Sequence, residues 1–107
     1  MLIVWTETLR KYPVFSFISR KGRKPFRIPG TDTVIEMGTP VFVPVHAIHH
    51  DPRYYPDPER FDPDRFTAEE VAKRPPEAYL PFGIGPRMCL GECSIYCQLH
   101  FFLLMCD

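Results

Sequence analysis

The sequence carries no excess of either charge. Thirteen Lys and Arg stand against thirteen Asp and Glu, for a net charge of zero, so nothing marks a nucleic-acid footprint or a trap for acidic substrates. No cysteine precedes Cys89. Cys89, Cys93, Cys97 and Cys106 crowd together near the end of the chain, too close to staple a fold, which points to reduced thiols in a cytosol-facing compartment. Long apolar runs are missing as well. The opening Met1 to Trp5 run breaks at Glu7, and Leu99 to Met105, interrupted by His100, falls far short of the roughly 20 residues that a bilayer span needs. There is no signal peptide, internal repeat or low-complexity tract. Glycine is scarce, six against thirteen prolines in 107 residues, which predicts a long irregular region stiffened by proline rings rather than a small self-sufficient domain. With 45% hydrophobic and 14% aromatic residues the chain still calls for a core, so it reads as part of something larger.

Along the chain, Leu2, Trp5, Leu9 and Tyr12 recur at three- and four-residue spacing. This predicts a helix over about the first eleven residues, stopped by Pro13. Glu7 and Arg10 fall on its opposite face, where an exposed pair contributes a few tenths of a kcal/mol. Phe15, Phe17 and Ser19 alternate with Val14, Ser16 and Ile18, and the basic run Lys21-Gly22-Arg23-Lys24-Pro25 turns the chain into Phe26 to Ile28. That pattern predicts a strand pair across a basic loop. Turns at Pro29 to Asp32 and Met37 to Pro40 flank a brief strand, Val34 to Glu36, and Val41 to Val45 reads as an edge strand because of Pro44. His46, His49 and His50 share one helical turn; nothing completes a metal site with them, so solvated side chains are expected. From Asp51 to Phe66, prolines at 52, 56, 58 and 63 forbid a continuous helix or a central strand and predict a rigid coil held by Tyr54, Tyr55, Phe61 and Phe66. Thr67 is placed to cap a short helix ending before Pro75, and Ile95, Leu99, Phe102, Leu103 and Cys106 form the stripe of a closing helix.

The densest signal is Pro81-Phe82-Gly83-Ile84-Gly85-Pro86-Arg87-Met88-Cys89-Leu90-Gly91. It sets one cysteine between a Gly/Pro loop and an apolar helix, where unpaired N–H groups and the helix dipole favour charged sulfur. Gly83 and Gly85 can take positive φ, Gly91 leaves no Cβ against a large flat partner, and Arg87 offers a planar fork suited to a carboxylate. A buried, inert structural cysteine is the bland alternative.

The loop resembles the haem-binding loop of the cytochrome P-450 superfamily, Phe-x-x-Gly-x-Arg-x-Cys-x-Gly, through Phe82, Gly85, Arg87, Cys89 and Gly91. Glu7-Thr8-Leu9-Arg10 is similar to the superfamily's Glu-x-x-Arg, Pro58-Glu59-Arg60-Phe61 to its proline-rich meander, and His49, Asp51 and Pro52 to its His-Arg-Asp-Pro pattern, with His50 where arginine is usual. The resemblance spans nearly the whole chain and is closest to microsomal animal-type members, insect or mammalian, that oxidise lipophilic xenobiotics. It implies an α+β fragment of a mainly-α fold, with residues 1–107 as the C-terminal part of a single domain. It implies that Cys89 ligates haem iron as a thiolate, that Phe82, Gly83, Gly85 and Gly91 shape the cofactor loop, and that Arg87 and Arg20 bind the haem propionates. It also implies that Glu7 and Arg10 are a buried structural pair completed by Arg60. No catalytic group beyond the haem ligand is expected here. The implied setting is the cytosolic face of the endoplasmic reticulum membrane, with an anchor upstream of Met1, electrons from NADPH through a reductase, and O2 and a small lipophilic molecule as substrates.

Two other classes compete. Cys89, Cys93, Cys97 and His100 could form a metal-binding module, although a ridge of cysteines at i, i+4 and i+8 does not readily surround an ion tetrahedrally. A non-catalytic interaction fragment could use Lys21, Arg23, Lys24 and Arg27 to dock an acidic partner.

Overall fold

The computed structural model describes residues 2–91 and 94–98. In chain order the elements are α1 (Leu2–Lys11), strands β1 (Ile18–Lys21), β2 (Phe26–Arg27), β3 (Val34–Ile35) and β4 (Pro40–Val43), α2 (Val45–His49), a 3-10 turn at Pro63–Phe66, α3 (Ala68–Ala72) and a second 3-10 turn at Pro76–Ala78. The cysteine loop follows and leads into helical residues 94–98. Leu99, Phe102, Leu103 and Cys106 of the expected closing stripe lie outside the described residues.

Helix α1 ends where Pro13 requires, and Leu9 of its apolar stripe is in the core, but the helix buries its charged face as well. Leu2 and Tyr12 are exposed, whereas Glu7 and Arg10 have no exposed surface at all. The reason is that the coil 49–62 wraps the charged side of the helix and supplies the groups that the ion pair needs.

The strands also pair otherwise than expected. β1 runs antiparallel to β4, with Ile18 opposite Val43 and Lys21 opposite Pro40, while β2 pairs with β3, Phe26 opposite Ile35. The nearest good turn decides this. Pro29-Gly30, with Gly30 at φ 76°, lets Ile28 N–H bond the Thr33 carbonyl at 3.0 Å and closes β2 onto β3. Strand β1 is left for the returning β4, and Gly22 joins the two ladders by accepting from Gly38 N–H at 2.8 Å.

Among the described residues the core is small: Leu9, Val45, Tyr55, Ala78 and Leu80. Of the four aromatics expected to hold the coil, only Tyr55 is fully enclosed, and Phe61 is exposed. The Tyr55 hydroxyl donates to the Ala78 carbonyl at 2.9 Å, and the Arg74 guanidinium lies 4.6 Å from its ring and 5.0 Å from that of Phe66. Thr67 stands at the start of α3 without a side-chain cap bond; the capping carboxylate nearby is Asp62, which accepts from Asp64 N–H at 3.2 Å.

Much apolar surface stays in water, including Val14, Phe15, Phe17, Phe42 and Leu90. Beside α1 an open groove of about 550 Å³ is lined by Leu2, Ile3, Phe66, Val71 and Pro76. The 107-residue chain expressed alone should therefore bind a hydrophobic dye strongly and self-associate as its concentration rises. A dye-silent monomer in sedimentation would contradict this.

Candidate functional site

The interior of the wrap is polar. Arg10 donates through Nε to Glu7 Oε2 at 2.7 Å and through Nη2 to Glu7 Oε1 at 2.8 Å. This is a bidentate pair between consecutive turns of α1. The remaining donors reach main-chain carbonyls: Nη1 to His49 at 2.9 Å, and Nη2 to Pro58 at 2.8 Å and Arg60 at 3.4 Å. Glu7 Oε1 also accepts from Asp62 N–H at 2.9 Å.

The second arginine beside Glu7 is Arg65 rather than Arg60. Arg65 Nε lies 3.8 Å from Glu7 Oε1 with its side chain 11% exposed, whereas the Arg60 side chain is 68% exposed and reaches only Asp62, at 3.9 Å. Arg60 serves through its backbone carbonyl. The sequence held the clue, because Pro-acid-Arg-Phe occurs twice, at Pro58 to Phe61 and again at Pro63 to Phe66. The second copy forms the 3-10 turn that aims its arginine inward, and Arg65 Nη2 is anchored on the Asp57 carbonyl at 2.8 Å.

His49, expected in solvent, is completely buried. Its Nε2 accepts from Leu80 N–H at 2.8 Å, and its Nδ1 sits 3.2 Å from the Arg10 carbonyl. An amide can only donate, so Nε2 is unprotonated and Nδ1 carries the proton. The Tyr79 ring stacks on the imidazole at 5.4 Å. Burial holds the pKa of His49 down at about 4; the hydrogen bond to the Arg10 carbonyl opposes this, and the charges of Arg10 and His50 reinforce it. His46 and His50 stack on each other at 4.1 Å nearer the surface. Among the described residues no group of three His, Cys, Asp or Glu side chains is placed to hold a metal ion.

The cysteine loop leaves the core at Leu80. Gly83 and Gly85 take φ of 80° and 82°, a conformation strained for any side chain with a Cβ. The loop is closed at its base, where Cys89 N–H donates to the Phe82 carbonyl at 2.9 Å. Cys89 itself is a free, exposed thiol, and a Cβ on Gly91 would sit 3.6 Å from its Sγ. Ile95 N–H reaches back to the Gly91 carbonyl at 2.9 Å, so a helical bond begins directly behind the loop. Phe82 packs edge-on to Tyr96 at 5.8 Å. Arg20, carried in by β1, donates through Nη2 to the Arg87 carbonyl at 3.3 Å. Phe15, Ile18, Arg20, Phe82, Arg87 and Cys89 thus border one cleft of about 180 Å³. Cys93 and His100 of the alternative metal set lie outside the described residues, and Cys97 is exposed.

The sequence matches the cytochrome P450 family over residues 3–106, and the chain belongs to that family. Among its relatives are the probable cytochrome P450 6a13 of Drosophila melanogaster, 54% identical over 89 residues, and cytochrome P450 6B7 of Helicoverpa armigera, 53% identical over 88. Cytochrome P450 6k1 of Blattella germanica is 48% identical over 89 residues. These alignments cover 83%, 82% and 83% of this chain but only 18%, 18% and 17% of the relatives, so the chain spans less than a fifth of their length.

Two predictions follow for the full-length protein that carries this segment. Glu7→Ala and Arg10→Ala should each cost about 3 to 5 kcal/mol, because each strands a buried charge, while Arg60→Ala should cost less than about 0.5 kcal/mol. Denaturant unfolding of the three variants measures the contrast, and an Arg60→Ala loss as large as that of Arg10→Ala would contradict it. For His49, the unfolded chain takes up a proton near pH 6.5 and the folded chain only near 4. Stability therefore rises with pH across that window and is lost as pH falls from 6.5 to 4, by roughly 3 kcal/mol. Unfolding free energies measured between pH 4 and 7 should show this slope in the wild type and lose it in His49→Gln.

Proposed function

We propose that these residues form the haem-binding part of a longer haem-thiolate monooxygenase. It would oxidise a small lipophilic compound with O2, using electrons that a reductase delivers from NADPH at the cytosolic face of the endoplasmic reticulum. The observation that carries this reading is the exposed Cys89 thiol on a cleft whose walls are apolar except for Arg20 and Arg87.

The residues fit haem in kind. A single soft sulfur is the donor that this class of haem protein gives to iron, aromatic and aliphatic walls suit a porphyrin face, and two guanidinium groups suit its two carboxylates. The cleft, at about 180 Å³, is below the roughly 300 to 1,000 Å³ of sites that enclose drug-sized ligands. These residues would therefore enclose only part of a large cofactor. Haem bound there would supply the activation of oxygen, favoured by electron density from the thiolate.

In this reading Cys89 Sγ would be the sulfur donor to the haem iron, and Phe82 would keep water from one side of the sulfur. Gly83 and Gly85 supply the positive φ that the turn of the loop needs, and Gly91 places no Cβ beside the sulfur. Arg87 and Arg20 hold the carboxylates, with Arg20 tied to the loop through the Arg87 carbonyl. Glu7, Arg10 and Arg65 carry no chemistry; they fix the wrap that presents the loop. The membrane setting and the substrate class rest on the likeness to microsomal animal-type members. Among the described residues no helix is long and apolar enough to cross a bilayer.

The test is Cys89→Ser in the full-length protein. The reduced carbon monoxide complex should lose its thiolate-type absorption band entirely, since a neutral hydroxyl does not replace the charged sulfur donor. An unchanged band would remove Cys89 from the ligand role.

A further inference from the structure

We propose that His49 is a positioning residue, a neutral imidazole that fixes where the cysteine loop stands relative to the buried Glu7–Arg10 pair. The inference rests on the haem-thiolate reading only for the consequence at the sulfur; the brace itself is independent of what binds there.

The argument starts from the two ends that the ring joins. On one side lies the last turn of α1, where the Arg10 carbonyl faces Nδ1 at 3.2 Å. On the other lies Leu80, buried at the foot of the loop, whose N–H meets Nε2 at 2.8 Å. Both partners are main chain, so neither adjusts by changing rotamer. The link is also reciprocal, because Arg10 Nη1 donates to the carbonyl of His49 itself at 2.9 Å. Tyr79, adjacent to Leu80, adds a second tie to α1 through its hydroxyl, which donates to the Thr6 carbonyl at 3.1 Å, and its ring covers the imidazole.

From Leu80 the path to the sulfur is short. The Leu80 carbonyl accepts from Gly83 N–H at 3.2 Å, and the Phe82 carbonyl accepts from Cys89 N–H at 2.9 Å. A shift at Leu80 therefore moves the base of the loop and, with it, Cys89. Beyond that base the residues from Ile84 to Leu90 are exposed, held by Arg20 Nη2 on the Arg87 carbonyl and by the turn bond from Met88 N–H to the Gly85 carbonyl.

Only one protonation state makes the brace. A second proton would put Nε2–H against Leu80 N–H, two donors facing each other, and the link would open. The titratable and charged groups around the ring are Arg10, and Glu7 behind it, on α1, His50 on α2 and Tyr79 on the segment leading to the loop. None of their side chains makes either of the ring's two hydrogen bonds, and the charges of Arg10 and His50 both disfavour the cation. The brace accordingly holds through neutral pH and opens in acid.

The experiment uses the haem-loaded full-length protein. In the wild type, nitrogen NMR of His49 should show the Nδ1–H tautomer, and the amide shifts of Leu80 and Cys89 should move together in one proton step in acid. His49→Phe keeps a ring for Tyr79 but removes both hydrogen bonds. It should speed hydrogen exchange at Leu80 and Cys89 by about tenfold or more and convert the thiolate-type carbon monoxide band at a milder pH than in the wild type. His49→Gln keeps an acceptor for Leu80 and should restore exchange to within about threefold of wild type. An Nε2–H tautomer, or amides of Leu80 and Cys89 that ignore acid, would overturn the proposal even if His49→Phe does not fold. The two readings fail separately: loss of the band in Cys89→Ser with loop amides indifferent to His49 sinks only the brace, and a band unchanged in Cys89→Ser with the expected His49 tautomer and exchange sinks only the ligand.

Discussion

A guanidinium sealed from water must be neutralised and hydrogen-bonded at once, and Arg10 imposes that demand on everything around it. An unpaired ion moved out of water costs several kcal/mol even after relaxation. Glu7 answers the charge, but its two oxygens satisfy only part of a group with five N–H donors. The rest of the demand falls on carbonyls at 49, 58 and 60. The first is the last residue of α2, and the other two are points on a coil that prolines keep from becoming helix or sheet. Regular structure would have spent those carbonyls on its own ladder. The irregularity of the coil is thus what leaves acceptors free to face inward.

The cysteine loop is built on the opposite principle. Its base is tied down at Leu80 and Phe82, while its residues from Ile84 to Leu90 are exposed. Two glycines at positive φ shape the turn, and Arg20 and Arg87 border the same cleft as the exposed thiol. A rigid, fully bonded interior and an open rim are complementary here: the interior fixes the position of a sulfur that the rim cannot fix for itself.

Much of this was legible in the residues. The cysteine loop, α1 with its stop at Pro13, the turn at His46 to His50 and the absence of regular structure from 51 to 62 all follow from local chemistry. What the residues did not disclose was always a question of which partner wins. The apolar stripe of α1 does not disclose that the charged face is buried too, because periodicity weighs only apolar side chains and cannot see carbonyls arriving from 49 to 60. β1 was assigned to its nearest neighbour in sequence because the turn strength of Pro29-Gly30 was not set against that of the Lys21 to Pro25 run. His49 was placed in solvent with its neighbours, yet in the structure it alone of the three faces two main-chain groups in the interior. The Pro58 to Phe61 tetrad points to Arg60, but the like tetrad at Pro63–Phe66 forms the 3-10 turn, and Arg65 is the arginine beside Glu7.

Because the acceptors for Arg10 are backbone oxygens, side-chain identity at 58 and 60 is nearly irrelevant to the cluster, while the number of residues between 49, 58 and 60 is not. Inserting or deleting a single residue would carry a carbonyl out of reach and leave a buried donor empty. At 58 and 60 the coil is therefore constrained in length rather than in letters.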